Sequence, residues 1–395
     1  MILAKKIQIK LKDEDARELE MWSDLSRELY NTALEQRILA YKKGVSLSVY
    51  DQKKEVPKIR QELPEYKKVY SQCLRALFFR LDKAFKSFFR RCKQDEKKKG
   101  FPRFRGKYYF FTLMFPGMYV EKLTDRTFKL PGPQGIPRII VKTKETIPDT
   151  SREVRIYKSN DKWFASFSVD VEEQEKSENK DVLAIDIGIK NIAAISSTTG
   201  KEEVISNRKP SMKELKRLDN LRSKRDKCKK GSKRWKYLTK RLRDEKEQWK
   251  NRSDDHLHKV SHKIMTQAEG IVVIGDIKPS EMVSGNKKLN RWIHNEGKMG
   301  RFIYFLTYKS KKFGKELVKM DEAYTSQDCS NCGFRQKMPL WKRVYTCPNC
   351  GLKLDRDLNS ARNLLNKFVL GQSHDFVNHV PSLDGNLDVG FSAHV

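Results

Sequence analysis

Between Met1 and Lys10 the apolar residues Ile2, Ala4, Ile7 and Ile9 are interleaved with polar ones, which predicts a strand at the start of the chain. The period then lengthens. In LEMWSDLSRELYNTALEQRILAY and YSQCLRALFFRLDKAFKSFFRR apolar positions recur at helical spacing, so 12–95 reads as helical, with Pro57 and Pro64 punctuating the link between the two runs. From 107 to 175 the pattern returns to strands. FTLMF, TFKL, RIIVKT, EVRIYK and WFASFSVDV alternate or carry β-branched and aromatic residues, and PGPQG and KSNDK supply turns. With the first strand they are expected to form a small barrel. VEEQEKSENK follows as a charged linker.

Beyond the linker the pattern becomes α/β. VLAIDIG, NIAAISS and EEVIS read as strands, followed by a long helical stretch. Then come a buried strand, IVVIGDI, a helix through RWIHNEGKMGRFIYFLTYKSKKFG, a strand ELVKM, a cysteine-bearing segment and a helix from Asp357 to Phe368. The chain after Gly371 has no period, and no internal repeat is present.

Charge narrows the choice of partner. The 395 residues carry 83 Lys and Arg against 51 Asp and Glu, a formal +32, and a cationic field of that size concentrates polyanions by releasing their counterions. A hydrophobic fraction of 38% supports real cores and excludes a disordered basic tail. The length suits two or three domains. No run approaches the ~20 apolar residues of a membrane span, and the start does not read as a signal peptide. An intracellular protein with reduced thiols is therefore expected. From Arg80 to Lys107 twelve basic residues face three acids, with Phe85, Phe88, Phe89, Phe101 and Phe104 among them. The helical part reads as a core face backed by solvated lysines, but GFPRFRGKYYF places Arg103, Arg105 and Lys107 beside aromatics on an extended segment, which suits a backbone-and-stacking contact with nucleic acid. From Lys213 to Arg252 eighteen basic residues face six acidic ones, more than solubility of a helical hairpin needs.

Two constellations carry chemistry. Cys329-Ser-Asn-Cys332-Gly and Cys347-Pro-Asn-Cys350-Gly are fourteen residues apart. Two such knuckles offer four thiolates in a tetrahedron, a structural zinc site with no open position. Cys73, Cys92 and Cys228 are scattered, ordinary thiols. The bases between the knuckles, Arg335, Lys337, Lys342 and Arg343, suggest that this segment also touches nucleic acid. The second constellation is acidic. Asp186 lies within an apolar strand, where a carboxylate is costly unless it is paired or holds a cation. Asp357 begins a helix and reads alone as an N-cap. Together in a basic protein they also fit divalent ions held for phosphodiester cleavage. His258 and His262, spaced i, i+4, read as a packed or solvated helix face.

The ordered set of Asp186-Ile-Gly-Ile-Lys-Asn, GMYV, DEAYTSQDCSNCG, the second knuckle and DRDLNSARNLL resembles TnpB, the transposon-encoded OrfB proteins related to single-effector type V CRISPR nucleases. QELPEYKKVYS (61–71) and GFPRFRGKYYFFT extend the resemblance from residue 1 to about 368. It implies a multidomain α+β chain: a helical recognition lobe (12–95), a small β-barrel wedge domain (1–11 and 96–175), a RuvC/RNase H-like α/β nuclease domain (181–324 and 353–370) with an inserted zinc ribbon (325–352), and a disordered tail (371–395). It implies an RNA-guided DNA endonuclease in a bacterial or archaeal cytoplasm. Its partners would be a guide RNA from the transposon end and double-stranded DNA with a short flanking motif. Mg²⁺, replaceable by Mn²⁺, would serve the nuclease site and Zn²⁺ the cysteines. By motif matching Asp186 is the first metal-holding carboxylate and Asp357, rather than Asp355, the third.

The second position departs from the pattern: Gly275 stands where many members have a glutamate. Asp276 should face the other side of the strand. Glu322, from a strand about 4.8 Å away, could reach the same ion, with the glycine leaving room. Arg103, Arg105, Lys107, Lys190, Arg217 and Arg225 are the candidate nucleic-acid contacts. The alternatives are a nuclease-dead RNA-guided repressor of the same fold, an RNase H-fold transposase acting without RNA, and a structural RNA-binding protein.

Overall fold

The structure is a computed structural model that describes residues 1–94, 100–107, 109–133, 138–208, 210–277, 279, 282, 290, 293, 298–339 and 341–371. The expected tail from 372 onward lies outside the described residues, as does most of 291–297, which the sequence pattern joins to the following helix. The chain divides into two compact units, Met1–Glu172 and Glu173–Val395.

In the first unit, β1 (Ile2–Lys10) leads into α1 (Asp13–Lys42), α2 (Val49–Lys54), α3 (Val56–Glu62) and α4 (Ser71–Lys93). Six strands follow: β2 (Leu113–Pro116), β3 (Glu121–Thr124), β4 (Thr127–Leu130), β5 (Ile139–Thr143), β6 (Glu153–Ser159) and β7 (Lys162–Asp170). They join β1 in an antiparallel sheet of order β2-β6-β7-β1-β5-β4-β3, with β1 and β7 paired from Ile2↔Asp170 to Ile9↔Trp163. The helices that the sequence sets apart as a lobe share one core with this sheet. Leu19, Trp22, Leu29 and Tyr30 of α1 and Leu74, Leu77, Phe78 and Leu81 of α4 fall on one face of each helix and pack with Phe115, Phe128, Val154 and Ile156.

The second unit is built on a mixed sheet. β8 (Val182–Asp186), β9 (Asn191–Ser197) and β10 (Glu202–Ser206) form an antiparallel meander, and β11 (Ile271–Gly275) and β12 (Glu316–Met320) add in parallel on the far side of β8, giving the order β10-β9-β8-β11-β12. Parallel strands need long crossovers. The hairpin α5 (Met212–Asp226) and α6 (Lys233–Gln267) precedes β11, and α7 (Met299–Lys312) precedes β12. Ser211 and Glu214 form a capping box at the head of α5, and Ser232 caps α6. β13 (Val344–Thr346) and β14 (Lys353–Asp355) pair as a small hairpin, and α8 (Arg356–Gly371) closes the unit.

Strand alternation then assigns the faces. Leu183, Ile185, Val272 and Ile274 pack on Leu257, Val260 and Ile264 of α6 and Phe302 of α7. Val182, Ala184 and Val273 point the other way, onto Leu364 of α8, with Met320 alongside. Continuing that second set by one step brings Asp186 and Gly275 to the α8 side, at the carboxyl ends of β8 and β11. This unit has the strand, helix and cysteine order read from the sequence.

Candidate active site

Three acidic residues gather at those strand ends. β8 ends at Asp186, which is half-buried. Gly275, the last residue of β11, lies in register with Met320, and Glu322 follows two residues on. A methyl group placed on Gly275 would lie 2.2 Å from Glu322 Oε2 and 3.2 Å from its Cβ. The Glu322 carboxylate therefore occupies the volume that a side chain at 275 would fill. Asp276 is exposed, and its backbone N–H donates to Met320 O at 2.8 Å.

Asp357 arrives from α8. The capping role that its position suggested belongs to Asp355, whose Oδ1 accepts from the N–H of Asp357 at 2.8 Å and of Leu358 at 3.4 Å. With its own amide satisfied there, Asp357 turns its carboxylate to other partners. Oδ2 accepts from Asn191 Nδ2 at 2.8 Å, and Oδ1 lies 3.6 Å from Arg343 Nη1. Asn191 is the last residue of the Asp186-Ile-Gly-Ile-Lys-Asn run, so the motif that supplies the first aspartate also orients the third.

Burial raises the Asp186 pKa well above the usual carboxylate range, and the charges of Asp357 and Glu322 push it further, with Arg356 opposing. Glu322 is raised by burial and then by Asp321 and Asp276. Asp186 thus resists ionisation beside Asp357 and Glu322, a strain that a bound cation would relieve. The three do not form a closed single-ion cage. Among the described residues, only the four cysteines form a group whose potential ligand atoms all lie within 4.8 Å of one another.

Those cysteines sit on two matching turns. Gly333 N–H donates to Cys329 O and Gly351 N–H to Cys347 O, at 2.9 and 3.1 Å. Gly333 and Gly351 have φ of 74° and 72°, a left-handed conformation that favours glycine. Sγ atoms approach to 3.6 Å in the pairs Cys329–Cys350 and Cys332–Cys347. Hydrogen bonds from the Asn349 side chain and the Phe334 backbone draw Cys332 toward the thiolate, and the Leu352 backbone does so for Cys350, while burial pushes Cys329 up to about 11. Four sulfur donors so placed could bind zinc, and their softness suits that ion.

Two family models match this chain: OrfB_IS605, described as "Probable transposase", over residues 166–285, and the "Cas12f1-like, TNB domain" over 300–364. A Streptomyces pristinaespiralis protein named "Putative RNA-guided DNA endonuclease" is 27% identical over 370 residues, 89% of this chain and 86% of that protein. A "TnpB-like protein" of Methanocaldococcus jannaschii is 28% identical over 198 residues, 47% of this chain and 68% of its own length. The chain is similar to TnpB-type and RNA-guided endonuclease proteins. The fold agrees: the solved Cas12f1–sgRNA–target DNA complex superposes at a TM-score of 0.54 with 15% identity, covering 89% of this chain and 83% of that one. The chain accordingly has a multidomain α+β fold of mixed sheets and helices.

The remaining candidates fall at varied places in the chain. Arg103, Lys107 and Lys190 are exposed. Arg105 is half-buried: its backbone N–H donates to Asn31 Oδ1 at 2.8 Å, and its guanidinium lies 5.2 Å from the Tyr109 ring centre. It anchors its own segment. Arg217 pairs with Glu245, and Arg225 with Asp226 at 2.7 Å. His258 stacks on Phe305 at 3.8 Å, and His262 meets Phe313 edge-on at 5.4 Å, so both are packing residues. Cys73 is buried, its thiol donating to Met114 O. No helix among the described residues is long and apolar enough to cross a membrane. Asn191, Asn359 and Asn363 escaped sequence reasoning. The available signal was the placing of Asn359 and Asn363 four apart on a helix whose other residues bury an apolar face.

Two outcomes follow from this geometry. Elemental analysis should find one zinc ion per chain on the four cysteines, and Cys347→Ser should lose it and loosen residues 325–352, because such sites supply folding energy. The second concerns pH. A carboxylate whose pKa is raised by folding holds its proton more tightly in the folded state, so its contribution to stability is lost as pH rises from about 4 through the raised value. Without divalent ions, thermal melts of the unaltered protein should fall relative to Asp186→Asn as pH rises through that window, and Mg²⁺ should close the gap. Parallel curves would contradict this.

Proposed function

We propose that this chain is an RNA-guided DNA endonuclease that hydrolyses target phosphodiesters at a single RuvC-like site. The observation that carries the reading is the Glu322 carboxylate lying in the volume left by Gly275, beside Asp186 and on the α8 face. The relatives' names and the match over 86% of the Streptomyces protein support it. In this reading the second unit is an RNase H-like nuclease domain with 325–352 as its zinc ribbon, and the first unit supplies the recognition and wedge elements. The +32 charge provides sequence-independent attraction to guide RNA and target DNA. Sequence choice is left to base pairing beyond a short flanking motif, since the sequence contains no helix-turn-helix or comparable base reader.

Asp186, Glu322 and Asp357 would hold divalent cations through hard oxygen donors, which suit Mg²⁺ or Mn²⁺. Bound there, two such ions would lower the pKa of an attacking water and stabilise the leaving oxygen. Asn191 fixes the orientation of Asp357 by donating to Oδ2, leaving Oδ1 on the Arg343 side. Arg343, from the segment between the knuckles, offers positive charge to a phosphate at that edge. Asp276 is exposed and is not a ligand in this reading; it acts on the site only through its charge, which raises Glu322 together with that of Asp321.

One observation favours a second reading, a guided binder that does not cut: the three carboxylates do not form a compact ligand group among the described residues. Cleavage of guided targets decides between them. Glu322→Gln should lower cutting below about one hundredth while guided DNA binding persists, since the amide keeps the size and loses the charge that holds the ion. Asp276→Asn should retain most activity. Unaltered protein that binds guided targets in Mg²⁺ or Mn²⁺ without cutting would establish the binder. Equal cutting with and without RNA would favour an unguided transposase.

A further inference from the structure

Buried asparagines are expensive unless their amides are satisfied. Asn359 is fully buried and Asn363 nearly so, both on α8, two and six residues beyond Asp357. Neither amide contacts a carboxylate. Asn359 Nδ2 donates to Asp328 O at 2.7 Å and Thr325 O at 3.4 Å, and its Oδ1 accepts from Ser330 N–H at 3.0 Å. Asn363 Nδ2 donates to the same two carbonyls, Thr325 O at 2.8 Å and Asp328 O at 2.6 Å. Two side chains on one helix thus hold the backbone of one short segment, 325–330.

That segment joins two sites. At its start, Thr325 donates from both N–H and Oγ1 to Glu322 O, at 3.2 and 2.9 Å. At its end lies Cys329 of the first knuckle, with Cys347 in the same small core. We propose that Asn359 and Asn363 are positioning residues that fix the separation of Glu322 from Asp357, and that they couple the four-cysteine site to the carboxylate site. The inference rests on the reading of Asp186, Glu322 and Asp357 as the divalent-ion set. Asp186 and Gly275 are placed by paired strands. Glu322 lies past the end of β12, where the ladder no longer holds it. The asparagine clamp supplies the missing restraint, and it ties Glu322 to the helix that carries Asp357.

The test is Mn²⁺ binding to full-length, zinc-loaded protein, followed by paramagnetic resonance, with zinc content measured on each sample. Asn363→Leu keeps the volume and removes both amide donors, while Asn359 still satisfies each carbonyl. Its Mn²⁺ dissociation constant should rise roughly tenfold or more, as for other groups that orient metal-holding side chains, with zinc retained at the level of the unaltered protein. Glu322→Gln should abolish the same Mn²⁺ signal. If Glu322→Gln leaves binding intact, the carboxylate reading itself fails. If Glu322→Gln abolishes binding while Asn363→Leu leaves it unchanged, the clamp is overturned and the carboxylate reading stands. Should Asn363→Leu lose zinc or melt early, hydrogen exchange on the unaltered protein decides. Mn²⁺ should slow exchange of the Ser330 amide, which donates to Asn359, and no change would overturn the coupling.

Discussion

The second unit is organised around a repulsion. Asp186, Glu322 and Asp357 come from the end of a strand, the chain beyond a neighbouring strand and the first turn of a helix, and their charges converge in a half-buried corner. Two like charges about 5 Å apart cost about 3 kcal/mol at an effective dielectric near 20. The fold carries such a cost because the elements that bear the acids are anchored elsewhere. Leu183, Ile185, Val272, Ile274, Leu257, Ile264, Phe302 and Leu306 are buried on one face of the sheet, each worth about 1.5–3 kcal/mol. Local charge strain of a few kcal/mol is then affordable, and it leaves a place where a cation is stabilising.

Position matters as much as charge. A strand ladder fixes Asp186 and the gap at Gly275 within narrow limits, but Glu322 and Asp357 need restraints from outside the sheet. Asn191 supplies one for Asp357. Asp355 supplies another by taking the cap, so that Asp357 is not spent on its own helix. The two-knuckle segment enters between Glu322 and Asp357 in sequence, and its four cysteines gather within that excursion. A structural metal site placed there can hold two parts of a second site in register without touching the chemistry.

Much of this was legible because it depends on short-range periodicity. The alternation in VLAID and IVVIG places Asp186 and Gly275 on one face, and the parallel pairing of β11 with β12 makes Glu322 their neighbour. Knuckle spacing likewise identified the four-sulfur group. What could not be read was long-range. Arg105 reads as part of an extended segment, and the side chain that its backbone N–H bonds to, Asn31, is 74 residues away. Arg217 counted as one of a run of bases, while its acid partner, Glu245, lies on the opposite helix of the hairpin. The helices of 12–95 read as a separate lobe because their apolar face gives no sign of what covers it; that cover is the sheet of the same unit. Asn359 and Asn363 bond to a loop some thirty residues earlier, which no local pattern reveals.

In the proposed site Glu322 does from beyond the neighbouring strand what a side chain at 275 would otherwise do. The reciprocal exchange tests it most directly: Gly275→Glu and Glu322→Gly, singly and together, assayed for Mg²⁺-dependent cleavage of a guided target. A second acid at 275 would crowd Glu322, since even a methyl group there lies 2.2 Å from Oε2. Removing Glu322 alone would leave the ion short of a ligand. The account predicts that each single change impairs cleavage and that the double change restores a substantial part of it. Full activity in Glu322→Gly alone, or a double variant no better than the worse single one, would contradict it.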